Sequence, residues 1–288
     1  MQRFLIFAAS ACAFLVAQEA FAASHSEAVL FSSAGPQPTP FQIKQAESKG
    51  QKLEVKPGIT VRGVLIKPDG SDPFPAVVLL HGCNGMRDFE KTWADALVDA
   101  GFVVLLIDSH GSRGITEACD RNNIVPSLVN FANDALGALS YLGAQSFVEP
   151  NKIGVMGWDA GAWALLSVMS QNGYGQFSKQ KFAAAVAFYP WVAETEPTAF
   201  IAPILLVFGG KDDLTPGTRV EKFASRSSAL SGNVPITVKT YADAMHFFDD
   251  PVYQEKQLLP QWYNSAVEGQ RGVTAGYDQT LRPMRGRR

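Results

Sequence analysis

Residues Ile153 to Gly161 read IGVMGWDAG, a short apolar run that ends in Gly157-x-Asp159-x-Gly161 and leads into helix-forming residues 162–170. A strand that turns sharply into a helix holds the residue at the turn out toward a reacting partner. Glycines two positions either side let the strand and helix approach closely. The usual occupant of such a turn is a hydroxyl or thiol nucleophile, and here it is a carboxylate. Aspartate tolerates left-handed backbone angles better than most residues, so the position is physically open to it. A plainer role competes: Asp159 as no more than the N-cap of a helix that begins at Ala160.

Three further segments carry polar chemistry at the ends of apolar runs. In LLHGCNG (79–85), a glycine-rich turn exposes backbone N–H groups that can face a developing oxyanion. The N–H of Cys83 is the candidate donor, with that of Ala160 as its partner. A simple turn that needs glycine for its backbone angles is the competing reading. In LLVFGGKDDLTP (205–216), Asp212 lies three residues after Gly209, where an acid could hold and orient a histidine; Asp213 is the fallback. In YADAMHFFDD (241–250), His246 follows the apolar run ITVKTY. Of the other histidines, His25 lies near the N-terminus, His81 in the glycine turn and His110 in DSHGSRG, near the same mouth.

The elements that must position these groups follow from periodicity. PAVVLL (75–80), FVVLLI (102–107), KIGVM (152–156), AAAVAFY (183–189) and PILLVF (203–208) are continuous apolar runs, the pattern of strands buried on both faces of a parallel sheet. Helical spacing appears in Trp93, Ala96, Leu97 and Ala100, and again across 125–142; further helices are expected over 217–230 and 251–267. Strands alternating with helices predict a doubly wound, mostly parallel sheet with helices on both faces. The order of oxyanion turn, elbow, acid and histidine, each at a strand end, specifies the α/β-hydrolase fold within that class. KLEV and ITVRGVLIKP suggest an opening hairpin. Only about a dozen residues separate AFYP from PILLVF, which leaves no room for a large cap. Residues 23–50 read as an extended lead-in, 51–268 as the domain, and 269–288 as a disordered Arg-rich tail.

Gln2 and Arg3 precede an apolar run from Phe4 to Ala17, followed by Ala20-Phe21-Ala22. This is the layout of a signal peptide spanning 1–22, and the run is shorter than the ~18–20 residues of a membrane span. The mature chain is expected to be exported, periplasmic or secreted, with no membrane span after cleavage. A net charge of −2 with 47% apolar residues suits a large core and argues against a broad nucleic-acid surface. Of three cysteines, Cys83 and Cys119 remain after cleavage. A disulfide between them, worth ~3–4 kcal/mol by loop entropy, and two buried free thiols are both compatible with the sequence. No Cys-x-x-Cys pair or His-Glu-x-x-His signature is present, so no metal site is expected.

On VVLLHGCNG, DSHGSRGITEAC, IGVMGWDAGAW, GGKDDLTP and HFFDD, the chain resembles the dienelactone hydrolase family over roughly residues 50–265. The resemblance implies a capless, cofactor-free enzyme that cleaves ester or lactone bonds of small molecules with a Ser or Cys nucleophile, an Asp and a His. Asp212 and His246 match the last two, and Asp159 stands at the nucleophile position. A carboxylate attacking an ester carbonyl gives a mixed anhydride and must expel an alkoxide far more basic than itself, so the adduct collapses backwards. Attack at a saturated carbon suits it better, as in epoxide hydrolases and haloalkane dehalogenases of the same fold. Three functions therefore stand open: an ester or lactone hydrolase with an altered nucleophile, an Asp-nucleophile hydrolase of epoxides or haloalkanes, and a binding protein that has lost the chemistry.

Overall fold

The structure is a computed structural model, and it describes residues 24–36, 40–51, 57–71, 73–120, 122–192 and 197–253. The expected signal peptide, the KLEV strand, the 251–267 helix beyond Tyr253 and the Arg-rich tail lie outside the described residues. Eight strands form one sheet: β1 (Ser24–Ser32), β2 (Thr60–Pro68), β3 (Phe74–Leu80), β4 (Val103–Asp108), β5 (Val148–Trp158), β6 (Ala185–Phe188), β7 (Ile204–Gly209) and β8 (Ile236–Tyr241). Their spatial order is β1-β2-β4-β3-β5-β6-β7-β8. β1 and β2 run antiparallel to their neighbours, and every pairing from β4 to β8 is parallel.

Among the described residues the helices are α1 (Pro40–Ser48), α2 (Asp88–Asp99), α3 (Ile124–Gly143), α4 (Ala160–Met169) and α5 (Gly217–Ser231), of which α2 to α5 pack on the sheet. Successive strand residues point to opposite faces, and the core divides accordingly. Val78, Leu80, Val103, Leu105 and Val155 pack with α3, α4 and α5. Leu79, Val104, Leu106, Met156 and Trp158 pack with α2 on the other face. Because both faces are covered, these strands read as unbroken apolar runs.

Two features differ from the sequence expectation. The lead-in is not merely extended: Ser24–Ser32 pairs along its whole length with β2, and Pro40–Ser48 is helical. β1 lies at the sheet edge with mostly exposed residues, so it lacks the apolar run that marked the central strands. The structure pairs β1 with β2.

β4 and β5 flank β3 on opposite sides. The chain order reverses there, which opens a crevice beyond the carboxyl ends of β3 and β5. The glycine turn follows β3 and the elbow follows β5, so the topology brings both to that crevice. Among the described residues, no helix is long and apolar enough to cross a membrane.

Candidate active site

Asp159 sits between β5 and α4 with φ 50° and ψ −112°, a left-handed conformation that costs a non-glycine residue about 1–3 kcal/mol. The turn is tight enough to require its glycines. A Cβ on Gly161 would lie 2.5 Å from the carbonyl oxygens of Leu80 and His81, and one on Gly157 would lie 2.8 Å from the carbonyl carbon of Gly161. Asp159 occupies the N-cap position of α4, but its side chain makes no cap bond there. Instead its Oδ2 accepts the backbone N–H of Cys83 at 3.0 Å. Ala160, the other expected donor, is the first residue of α4, where an N–H has no partner within the helix.

Cys83 is bonded to Cys119, with Cα atoms 4.9 Å apart. Of the two sequence readings of these thiols, the structure has the disulfide. The Cys83 carbonyl also accepts the N–H of Ala118 at 2.8 Å. The turn that offers its N–H to Asp159 is thus tied on its far side to the segment after β4.

His246 lies beyond β8, wholly buried, with a carboxylate at each ring nitrogen. Nδ1 is 2.7 Å from Asp212 Oδ2, and Nε2 is 3.5 Å from Asp159 Oδ1. Asp212 is the buried member of the Asp212–Asp213 pair, whereas Asp213 is exposed, which decides between them. Asp212 Oδ1 accepts the N–H groups of Leu214 and Thr215, both at 2.8 Å, and its Oδ2 accepts the Thr215 hydroxyl at 2.5 Å. Thr215 lies in a motif that was conspicuous in the sequence, but nothing there distinguished it as a partner of the acid.

Burial alone would lower the pKa of His246; the charges of Asp212 and Asp159 outweigh it and raise the imidazole from 6.5 to about 9. Burial works to raise the Asp212 carboxyl, but the imidazolium and the Thr215 donors hold it below its usual range. At neutral pH the site is therefore an imidazolium between two carboxylates. The remaining histidines stand apart from it. His25 is exposed on β1. His81 and His110 are buried edge to face against each other, 4.7 Å between centroids, and burial lowers each to about 4. They are neutral and serve as packing behind the glycine turn.

A parallel sheet with an elbow after β5, a backbone N–H donor after β3 and an Asp–His pair after β7 and β8 defines an α/β-hydrolase. The dienelactone hydrolase family model matches residues 61–267, well over half of the chain, and the chain belongs to that family. An uncharacterized protein of Mycobacterium tuberculosis is 28% identical over 217 residues, 69% of this chain and 74% of that protein. A probable 2-oxo-3-(5-oxofuran-2-ylidene)propanoate lactonase of Bradyrhizobium is 23% identical over 70% of this chain and 86% of its own. Among solved structures, a dienelactone hydrolase-like promiscuous phosphotriesterase from metagenomic libraries superposes with a TM-score of 0.59 at 18% identity, covering 89% of this chain and 99% of its own. A putative dienelactone hydrolase of Klebsiella pneumoniae gives 0.54 at 17% identity, covering 88% and 99%. At those identities the superpositions speak for the fold.

Proposed function

We propose that this chain is an exported small-molecule hydrolase in which the Asp159 carboxylate is the nucleophile and attacks a saturated carbon, as of an epoxide or a haloalkane. The observation that carries the reading is the bond from Cys83 N–H to Asp159 Oδ2. In acyl transfer that donor would serve the substrate's carbonyl oxygen. Here it serves the elbow residue's own oxygen, leaving Oδ1 as the attacking atom on the side of His246. A donor so placed stabilises charge that develops on Oδ2 when water later attacks the Asp159 carboxyl carbon.

In the first step Asp159 Oδ1 forms a bond to the substrate carbon, and the carbon–halogen or carbon–oxygen bond breaks with its electron pair. A halide leaves as the anion; an epoxide alkoxide takes the proton of the His246 imidazolium. Esterified Asp159 carries no charge, so one of the two influences that hold His246 protonated is gone. In the halide case its proton then passes to solvent. Neutral His246 takes a proton from water as the water oxygen attacks the Asp159 carboxyl carbon. The tetrahedral adduct expels the product oxygen, which receives that proton. The new carboxylic acid of Asp159 then reprotonates His246, and the resting ion pair returns.

Ester and lactone cleavage at the carbonyl carbon is the activity suggested by the family and the lactonase relative. It fits this site less well, because the mixed anhydride is a poor product of an alkoxide-expelling step. Export rests on the signal-like residues 1–22 and is supported by the Cys83–Cys119 disulfide, which persists in oxidising compartments.

The test is trapping. Mature protein carrying His246→Gln, incubated with a panel of haloalkanes, whose halide leaves without needing the His246 proton, should accumulate a covalent adduct that peptide mass spectrometry places on Asp159. Absence of any adduct, with esterase activity appearing in Asp159→Ser, would point instead to a lapsed enzyme that retains a binding cleft.

A further inference from the structure

Three donors from three distant segments converge on one carboxylate that the proposed chemistry does not employ. Asp249 Oδ2 accepts the indole N–H of Trp158 at 2.8 Å and that of Trp93 at 3.0 Å, and its Oδ1 accepts the hydroxyl of Tyr189 at 2.8 Å. Trp158 immediately precedes the elbow residue, Trp93 lies on the helix that follows the glycine turn, and Tyr189 follows β6. Asp249 itself is three residues beyond His246.

The surroundings show what this arrangement opposes. The backbone on the way from His246 to Asp249 passes through Phe247 at φ 58°, and Tyr189 sits at φ 38°. Both are conformations that non-glycine side chains adopt only under tertiary constraint. The Tyr189 ring lies 4.5 Å from the His246 ring. Burial and the Asp249 charge drive the Tyr189 hydroxyl well above its ordinary value of 10, so it remains a donor. Burial pushes the Asp249 carboxyl upward too, and its donors only partly offset this. A carboxylate held against a desolvation cost suggests a role in specifying one arrangement. The next residue adds a second clamp: Arg87 Nε meets Asp250 Oδ2 at 2.6 Å, just before α2.

We infer that Asp249 is a positioning residue: by drawing Trp158, Trp93 and Tyr189 onto one carboxylate, it fixes the His246 loop so that the imidazole spans Asp212 and Asp159. The role is geometric. It holds whether or not Asp159 is a nucleophile, and its test requires no substrate.

The imidazole of His246 is followed by long-range nitrogen–proton NMR during a pH titration of the mature protein. Asp249→Asn keeps an oxygen for both indoles and an amide that can donate to the Tyr189 oxygen, so His246 should titrate as in the wild type. Asp249→Ala frees the loop, and loosening of the Asp159 contact should lower the titration midpoint by about one pH unit or more. Should the alanine variant fail to fold, as judged by near-ultraviolet circular dichroism, the double variant Trp93→Phe, Tyr189→Phe removes two donors while keeping the rings. It should lower the midpoint in the same direction. A folded alanine or double variant with an unchanged His246 titration would overturn the inference. So would an asparagine variant that shifts as far as alanine, since charge and not position would then be responsible.

Discussion

Replacing Asp159 with Asn should change how stability depends on pH. Raising the imidazole of His246 from 6.5 to about 9 corresponds to about 3 kcal/mol, at ~1.4 kcal/mol per pH unit. The folded state holds this proton more tightly than the unfolded chain. The stabilisation is therefore complete below pH 6.5 and is lost as the pH rises through about 9. Asn preserves the size of the side chain and can still meet the Cys83 N–H, but it removes one of the two charges beside the ring. With Asp212 alone, His246 should fall by about 1–2 pH units, and the part of the pH-dependent stability that it carries should shrink by about half. Urea unfolding between pH 6 and 10, with the disulfide kept oxidised, measures this directly, and groups common to both proteins cancel in the difference. Asp159→Asn should be less stable than wild type by about 1–3 kcal/mol at pH 6, with the gap narrowing toward pH 10. Parallel curves across that range would refute the placement of the imidazolium between two charged partners.

Three other changes probe the parts that hold the site. Gly161→Ala would drive a methyl group to 2.5 Å from two carbonyl oxygens, so it should cost about 3 kcal/mol or more, read as a lower urea midpoint or loss of soluble protein. Cys119→Ser should destabilise by about 2–5 kcal/mol and slow hydrolysis of the adduct on Asp159, because it unties the turn that carries the Cys83 N–H. Unaltered adduct hydrolysis in that variant would show that the turn holds its shape without the disulfide. Asp212→Asn removes the charge at Nδ1 and should bring the NMR midpoint of His246 below about 9 by about 1–3 pH units; a midpoint that does not move would mean that the ring is paired elsewhere.

Much of the fold was legible because its strands are buried on both faces. Leu79 and Leu80 point to opposite cores, so β3 had to be apolar throughout, and the same holds for β4, where Leu105 and Leu106 divide in the same way. β1 escaped notice because it is an edge strand whose side chains are mostly in water; only its pairing with β2 reveals it. The meeting of Asp159, Asp212 and His246 was legible because each follows a strand whose end faces the same crevice. The bond from Cys83 to the elbow's own oxygen was not, since sequence order places a donor near a site without saying which oxygen it will serve. Asp249 was less visible still. Its partners Trp93, Trp158 and Tyr189 share no spacing with it. Only the folded chain brings the Trp158 indole onto the Asp249 carboxylate.

The nucleophilic role of Asp159 is tested most directly by a single turnover in water enriched in oxygen-18, with enzyme in excess over a substrate found by trapping. Attack through Asp159 puts the heavy oxygen into the Asp159 carboxyl group and leaves the product oxygen light. Heavy oxygen in the product, with none in the Asp159 peptide, would mean that water attacks the substrate directly and that the carboxylate at the elbow is not the nucleophile.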